Sequence, residues 1–455
     1  MGVKDRYQRI QSSVAKKPEA LLLGNFALLI IIGFILLMLP ISRVPGRVGV
    51  LDAAFTSVSS VCVTGLITVD TGTAYTVFGQ LVILCLIQLG GLGLMTFAAL
   101  IFRFTRTRLS YQSRTALEGV FFQERLASQF KNVFKQIFLI TAVIESAGIV
   151  AMYIFMPSTE TGMHRFFTSV FHTISAFCNA GFSLYSTSLR LLRENTVLIL
   201  IFIILIILGG LGYSVLIEIV HRSAKKKFNV ERVTWTLNTK VVLITTCILL
   251  VVGFLLLFIL GLTGDEGTVG ERAMGAVFQS VTARTAGFNT VDIGNLHNPS
   301  LVVLMLLMFI GGSPGSTAGG IKTTTIAVLM AHIITGIKKT DDVNVMERRI
   351  PYEVVRRAIV VIALAIFWNG LGVLILSITE DPGGTPLVEL MFEQFSAFAT
   401  VGLSTGVTPT LSALGKVWII LSMYIGRLGP LTVALWFVKT REIGIRYPEE
   451  RLMIG

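Results

Sequence analysis

Four segments of the chain share one pattern, and its residue types suit the coordination of an ion better than the breaking of a bond. Each segment begins with Phe and ends with a small residue, a Gly and then Leu or Phe; the four glycines are Gly65, Gly181, Gly287 and Gly402. Backbone carbonyl oxygens can replace the water around a dehydrated monovalent cation. Glycine reaches the positive φ that aims successive carbonyls at one axis without steric cost. The pattern therefore predicts four loops that line an ion pathway with backbone oxygens.

Four residues in each of these loops, which we call pore loops 1 to 4, are expected to form an ion selectivity filter. They are Cys62, Val63, Thr64 and Gly65; Cys178, Asn179, Ala180 and Gly181; Arg284, Thr285, Ala286 and Gly287; and Ala399, Thr400, Val401 and Gly402. The only metal ion expected there is the transported one, bound by backbone carbonyls. Hydroxyl groups shortly before the glycines can bond backbone groups of a short pore helix; they belong to Ser59, Ser60, Ser175, Thr282 and Ser396.

A second glycine cluster follows each loop after 24 to 28 residues, inside an apolar stretch. Glycines in membrane helices commonly allow close helix packing. For Gly90, Gly93, Gly209 and Gly212 this interpretation is favoured over a role in the ion pathway.

The third cluster is too rich in Gly, Ser and Pro to remain a regular helix, because Pro removes a backbone donor and each Gly weakens a helix by about 1 kcal/mol. Its residues are Gly311, Gly312, Ser313, Pro314, Gly315, Ser316, Thr317, Ala318, Gly319 and Gly320. Irregular backbone at membrane depth is tolerated only beside protein or a water-filled cavity, so we expect this 311–320 segment to lie beside the ion pathway. A phosphate-binding loop is a weak alternative, since Ile321 separates Gly320 from Lys322 and no strand precedes the segment.

Three cations fall within the membrane region, where charged side chains are functional candidates by default. Lys322 and Arg427 are expected to form an electrostatic barrier beneath the filter, which is relieved when the 311–320 segment moves. Arg284, at the start of pore loop 3, is expected to bond carbonyls behind the filter.

The elements that must position these residues are membrane-spanning helices. Of 455 residues, 53% are hydrophobic and 14% charged, with a mean hydropathy of +0.78. Long apolar stretches reach or approach the ~20 residues that cross about 30 Å of hydrocarbon; they are 21–39, 136–155, 196–220, 241–262 and 358–378. Each unit thus contains a spanning helix, a short segment of about ten residues, a glycine-ended loop and a second spanning helix.

The expected fold is an all-α integral membrane protein with eight transmembrane helices, arranged as four helix/pore-loop/helix repeats around a central pore. The predicted units are 1–108, 109–225, 226–340 with the broken second helix, and 341–455 with a cytoplasmic C-terminus.

The net charge of +12 is distributed in alternate segments, which is typical of the positive-inside pattern and argues against nucleic-acid binding. Both termini and three loops are then cytoplasmic, so the number of spans is even. The basic start resembles a signal peptide, but its apolar stretch ends at Pro40 without a cleavage pattern, which favours a retained first span. Four cysteines without CxxC spacing indicate neither zinc nor a disulfide framework and suggest small hydrophobes in a packed interior.

These loops, together with residues 69–72, 425–432 and 445–448, resemble the Trk/Ktr/HKT superfamily of cation transporters, and within it the membrane subunit of bacterial Ktr-type potassium uptake systems. The resemblance covers nearly the whole chain. It implies a multi-pass protein of the cell membrane that selects K+, since all four filter positions hold glycine. It also implies a homodimer that docks on a cytosolic ring of RCK-type nucleotide-binding subunits. The resemblance further implies that the 311–320 segment is an intramembrane gating loop, with Arg427 of the fourth unit beside it and Lys322 next to it in sequence. No covalently bound cofactor is expected, and Na+ is a candidate modulator.

Other functions remain open at this point. One is a Na+-permeable or Na+-coupled K+ transporter of the same superfamily, although alternating-access symporters usually carry inverted repeats, whereas these four are parallel. A membrane-embedded enzyme is disfavoured because the five histidines are scattered and no HExxH or GxSxG motif occurs. His172, within a predicted pore helix, is assigned to packing.

Overall fold

The computed structural model describes residues 18–104, 130–157, 162–227, 234–261, 268–339, 342–380 and 384–437. Within these ranges the α-helices, numbered along the chain, are α1 Pro18–Met38, α2 Val50–Val61, α3 Thr71–Ala74, α4 Val77–Phe104, α5 Phe130–Phe155, α6 Gly162–Phe177, α7 Thr196–Leu211, α8 Tyr213–Lys227, α9 Leu237–Leu260, α10 Val269–Thr282, α11 Asn298–Phe309, α12 Thr323–Lys338, α13 Tyr352–Glu380, α14 Leu387–Ala399, α15 Ala413–Leu428 and α16 Pro430–Phe437. Short 3-10 helices cover Arg190–Leu192, Ile293–Asn295 and Thr408–Thr410. The strands of the described residues form one antiparallel hairpin, β1 Asn344–Val345 with β2 Arg348–Arg349.

The helices repeat four times in the order long helix, short helix, second helix. The long helices are α1, α5, α9 and α13, and the short ones are α2, α6, α10 and α14. The short helices contain 12 to 16 residues. At ~1.5 Å per residue they are about 18–24 Å long, which is less than the ~30 Å of a bilayer core. The protein is therefore all-α, as predicted, and each unit carries a short helix between a long first helix and a second helix.

The domain boundaries stay predictions. The limits at 108 and 340 fall on residues outside the described ranges, and 225 lies in the last turn of α8. Residues 1–17, 105–129 and 438–455 also lie outside those ranges.

One aromatic residue anchors each short helix in the interior. Phe55, Phe171, Phe278 and Phe392 occupy the same place in their units and are completely buried. A buried Phe contributes roughly 1.5–3 kcal/mol relative to an exposed one. The four repeated Phe residues of the sequence thus fix the depth and orientation of the short helices.

The second helices are broken in three of the four units, whereas the sequence predicted a break in the third unit alone. In unit three, residues 310–322 separate α11 from α12. In unit two the chain turns by 103° between α7 and α8, and in unit four by 95° between α15 and α16. Gly212 and Gly429 lie at these two bends with φ of +90° and +89°, a conformation that only glycine adopts freely. In unit four Pro430 follows the bend, where its missing N–H cannot continue the helix.

The surface of the helix bundle is apolar. Large hydrophobic side chains point outward, among them Ile259 (76% exposed), Ile378 (69%) and Phe367 (66%). By length and composition, three described helices can cross a bilayer, and two bent pairs bring that number to five. Helix α1, with 21 residues, is about 31 Å long and also reaches across. The protein is accordingly a multi-pass integral membrane protein.

The cysteines are all free thiols. Cys62 and Cys178 are buried beside the pore loops, as expected, but Cys85 and Cys247 are exposed on the outer surface. The prediction of a packed interior was wrong for these two because each lies on the outward side of an apolar helix, which the composition of a membrane helix does not distinguish.

Candidate ion pore

The four loop glycines meet in a closed ring. A Cβ atom built on Gly181 would lie 2.9 Å from the carbonyl oxygen of Ala286 in the next loop. The other three glycines face the next loop in the same way, with even closer approaches: Gly65 to Ala180, Gly287 to Val401 and Gly402 to Thr64. Each glycine therefore contacts the carbonyl that precedes the glycine of its neighbour. No side chain fits at these four positions without moving a backbone oxygen.

The backbone of every pore loop has positive φ at two positions, the glycine and the residue two places before it. These earlier residues are Val63 (+56°), Asn179 (+57°), Thr285 (+72°) and Thr400 (+51°). Three of them are β-branched, and such residues are true outliers in this region. Strain of this kind costs about 1–3 kcal/mol per residue and persists only where the surrounding structure enforces it. The same unusual conformation occurs in four separate loops, which makes their backbone the candidate site for an ion.

Hydroxyl groups of the short helices hold the loops in this shape. Ser59 donates to the Leu66 carbonyl (2.7 Å) and accepts from the Gly65 amide (3.1 Å). Ser175 donates to Phe182 (2.8 Å), Thr282 donates to Phe288 (2.6 Å), and Ser396 accepts from the Gly402 amide (3.1 Å). Four of the five predicted hydroxyl groups thus bond the loop rather than the helix, and only Ser60 bonds its own helix, at Thr56 (2.7 Å). These bonds tie each loop, at its glycine or at the residue after it, to the helix that precedes it.

A cavity of about 270 Å³ opens on one side of the glycine ring. All four glycines line it, together with residues that follow them in the chain, and the carboxylates of Asp70 and Asp292 lie at its edge. Asp292 pairs with Arg190 at 3.0 Å. The cavity gives an ion access to the ring from that side.

The 311–320 segment lies against the opposite end of the pore loops. Thr317 donates from its hydroxyl to the carbonyls of Gly209 (3.2 Å) and Phe177 (3.4 Å), the latter being the last residue of α6. A Cβ on Gly320 would lie 3.4 Å from Ala399, and one on Gly319 would overlap the side chain of Thr400. The segment is not helical, and its backbone fills the space beneath the loops.

Arg427 joins three of the four units. Its guanidinium is 3% exposed, donates to the Gly90 carbonyl in α4 (2.7 Å) and donates to the Thr317 carbonyl in the 311–320 segment. Among the described residues no carboxylate forms an ion pair with it. Burying an uncompensated charge is costly, and the two carbonyl contacts offset part of this cost. They also fasten the segment to α4 and α15.

The two other predicted cations also bond this segment. The Lys322 ammonium group donates to the carbonyls of Ala318 (2.7 Å) and Gly319 (3.5 Å). Arg284 donates over 3.5 Å to the Gly311 carbonyl, which belongs to the same segment. All three cations therefore lie around one irregular segment.

The glycines of the second clusters bring helices close to the ends of the short helices. A Cβ on Gly90 would overlap the carbonyl of Val61, the last residue of α2, and Gly209 and Gly426 face Phe177 and Phe398 in the same way. Gly212 differs, since it forms a bend and a Cβ there would lie 2.6 Å from the Pro314 carbonyl.

Two polar residues that the sequence did not assign to the pore lie directly behind the loops. His172 approaches Ser183 (3.0 Å), and Glu393 accepts from Ser404 (2.6 Å). Both serines stand two residues after a loop glycine. This shared position of the two serines is the sequence signal that could have identified the contacts, whereas the sequence analysis assigns His172 to packing.

Comparison with known proteins agrees with this geometry. The family described as TrkH, cation transport protein, matches residues 28–444. Ktr system potassium uptake protein B of Bacillus subtilis is 39% identical, covering 96% of both chains. Potassium/sodium uptake protein NtpJ of Enterococcus hirae is 38% identical, covering 96% of this chain and 97% of its own. The crystal structure of the potassium transporter TrkH from Vibrio parahaemolyticus superposes with a TM-score of 0.74 at 19% identity, over 92% of this chain and 84% of that one, a likeness of fold alone.

Four repeated units whose irregular loops close into a glycine ring define a membrane transport protein for cations rather than an enzyme. The chain belongs to the TrkH cation transport protein family.

Proposed function

We propose that the chain carries K+ across the cell membrane through the glycine ring, with pore loops 1 to 4 as its selectivity filter. The observation that carries this proposal is the alternation of positive φ in all four loops, a backbone geometry that suits carbonyls directed at one axis. Carbonyl dipoles replace the water shell of K+ without binding it as tightly as a carboxylate would. The names of the relatives, which are potassium uptake proteins, support K+ as the ion.

The 311–320 segment is the gate in this proposal. Its carbonyls are bound by Arg427 and Lys322, and its backbone lies against the ends of pore loop 4 and α6. The two cations act as an electrostatic barrier, because a positive side chain in a low-dielectric pathway repels a passing cation. Opening requires the segment to exchange its bonds to Gly209 and Arg427 for others. No covalent change is needed, so a partner can drive the motion by binding alone.

The partner is a separate cytosolic regulatory subunit. Relatives are named as components of a Ktr system, and the resemblance of the pore-loop motifs implies a ring of RCK-type nucleotide-binding subunits beneath a homodimer of this chain. The protein is placed in the cell membrane with both termini in the cytoplasm, which the alternating distribution of Lys and Arg supports.

A Na+-permeable or Na+-coupled transporter is the second candidate. The relative named potassium/sodium uptake protein, 38% identical to this chain, specifically favours it. Glycine at all four ring positions argues for K+, as expected from the resemblance.

Uptake of 86Rb+ into proteoliposomes that contain the purified chain tests the proposal, with K+, Na+ and Li+ as competitors. We expect K+ to block uptake and Na+ to leave it nearly unchanged. Equal block by Na+ would replace K+ selectivity with the second candidate. An absence of flux both alone and with the cytosolic subunit would contradict the transport function itself.

A further inference from the structure

The backbone that follows the pore loops is fastened in two different ways around the ring. Two residues after each loop glycine stand Ile67, Ser183, Asn289 and Ser404. Units two and four thus present a hydroxyl group there, and units one and three do not. In both serine-bearing units the hydroxyl meets a side chain of the pore helix, one residue after its buried Phe.

Glu393 fastens the fourth loop. It is completely buried, and its Oε1 accepts from the Ser404 hydroxyl (2.6 Å), the Thr405 amide (2.9 Å) and the Thr405 hydroxyl (3.2 Å). Its Oε2 accepts from the Thr408 hydroxyl. An ionised carboxylate can only accept hydrogen bonds, so these four donors match that form and offset the cost of its burial. The backbone from 404 to 408 is thereby bound to α14.

His172 does the same in the second loop. Its Nδ1 lies 2.9 Å from the Thr168 carbonyl, which can only accept, so Nδ1 carries the proton in the neutral ring. Nε2, 3.0 Å from the Ser183 hydroxyl, is then the acceptor and Ser183 the donor. The ring also stacks on Tyr185, with centroids 5.0 Å apart. The two serines therefore have the same role: each donates to a pore-helix side chain.

The local backbone around the serines matches as well. Ser183 accepts from the amide of Tyr185 (3.0 Å) and Ser404 from the amide of Gly406 (2.9 Å), in each case two residues further on. In unit three, by contrast, Asn289 donates to Val291 within its own segment (3.0 Å). Gln279, the counterpart of His172 and Glu393 in α10, is completely buried, and neither of its amide atoms has a hydrogen-bond partner among the described residues.

Units two and four face each other across the ring, since each loop glycine contacts the next loop in chain order. Resting on the proposed K+ function, we propose that the pairs His172–Ser183 and Glu393–Ser404, the outer braces, are specificity-determining. They hold two opposite walls of the filter at the spacing of K+. To coordinate the smaller Na+, opposite carbonyls must approach each other. The outer braces oppose the approach of loops 2 and 4 toward each other and leave loops 1 and 3 free to adjust.

The test compares single and double variants in the 86Rb+ uptake assay. The measured quantity is the Na+ concentration that halves uptake divided by the K+ concentration that does so. We expect Ser404→Ala and Ser183→Ala each to lower this ratio about fivefold to tenfold, the effect of one hydrogen bond. Glu393→Gln should lower it at least as much, and adding Ser404→Ala to it should change little more, because both remove the same contact. The serine variants keep the result interpretable if Glu393→Gln fails to fold.

Gln279→Met is the matched control, because it changes the equivalent position of α10 at similar volume where no brace exists; its ratio should equal the wild-type value. A second readout needs no transport: K+ should raise the melting temperature of the detergent-solubilised wild type more than Na+ does, and the brace variants should lose that difference. If the wild type is selective for K+ and the brace variants keep its Na+ to K+ ratio, the outer braces do not determine specificity, although the proposed function stands. The same conclusion holds if Gln279→Met lowers that ratio as much as the brace variants do. A wild type with neither K+-selective flux nor K+-specific stabilisation would overturn both.

Discussion

Replacing Gly402 by Ser is the sharpest perturbation of the proposed filter. Gly402 has a φ of +92°, and a Cβ at this position would overlap the Thr64 carbonyl of pore loop 1 and lie 3.0 Å from the Cα of Gly65. A non-glycine residue at such a φ costs about 1–3 kcal/mol. The overlap comes on top of this, and relieving it moves the backbone of pore loop 1, above all the Thr64 carbonyl.

The loss of selectivity follows from that displacement. Every ~1.4 kcal/mol by which the displaced Thr64 carbonyl weakens the binding of K+ relative to Na+ lowers the preference for K+ tenfold, and we expect a loss of about this size. The assay is 86Rb+ uptake with Na+ and K+ as competitors, normalised to the amount of monodisperse protein.

Gly46→Ala is the control for backbone strain. Gly46 has a comparable φ of +79°, but no atom lies within 4 Å of its Cβ position. It should lower the thermal stability and leave the preference for K+ unchanged. A folded Gly402→Ser variant with wild-type selectivity would refute the assignment of pore loop 4, and an equal loss in Gly46→Ala would show that strain alone, away from the ring, explains the effect.

Three further outcomes are expected. Deleting residues 313–319 should raise basal 86Rb+ flux of the chain alone several-fold, because the backbone beneath the loops is removed; unchanged flux would contradict the gate. Arg427→Gln should also raise basal flux, by about tenfold or more, because a charged hydrogen bond contributes ~1.5–3 kcal/mol. Its control is Lys416→Gln, which removes only the ion pair to Asp52 (3.6 Å) and should leave basal flux at the wild-type level. Ser396→Ala removes the hydroxyl that accepts from the Gly402 amide, so about fivefold more K+ should be needed to block 86Rb+ uptake, with no change in the helix content measured by circular dichroism. If K+ blocks uptake at the wild-type concentration, the helix does not fix the loop.

Much of the fold could be predicted from the sequence because its strongest signals are local and repeated. Four Phe-to-Gly segments in matching register gave the short helices and the loops, and apolar length gave the spanning class. The break in the third unit was visible because Pro314 and five glycines occur within ten residues.

The rest depended on contacts that no single segment contains. The bends at Gly212 and Gly429 were missed because one glycine in an apolar helix is equally compatible with close packing; at Gly212 the bend brings the Tyr213 amide to the Gly315 carbonyl (3.0 Å), about 100 residues away in sequence. The role of Glu393 was missed for the same reason. A carboxylate at membrane depth is recognisable as unusual, but its four donors become apparent only when the loop folds back on α14.

The closing contact of the ring joins the two ends of the sequence. Gly402 packs against Thr64, and nearby the Tyr424 hydroxyl donates to the Leu23 carbonyl (2.6 Å) across 401 positions of the chain. During synthesis the first three loops are therefore in the membrane before the fourth exists. A chain that ends before unit four therefore lacks both pore loop 4 and Arg427. In the proposed mechanism, one unit thus supplies both the last carbonyls of the filter and the arginine of the electrostatic barrier.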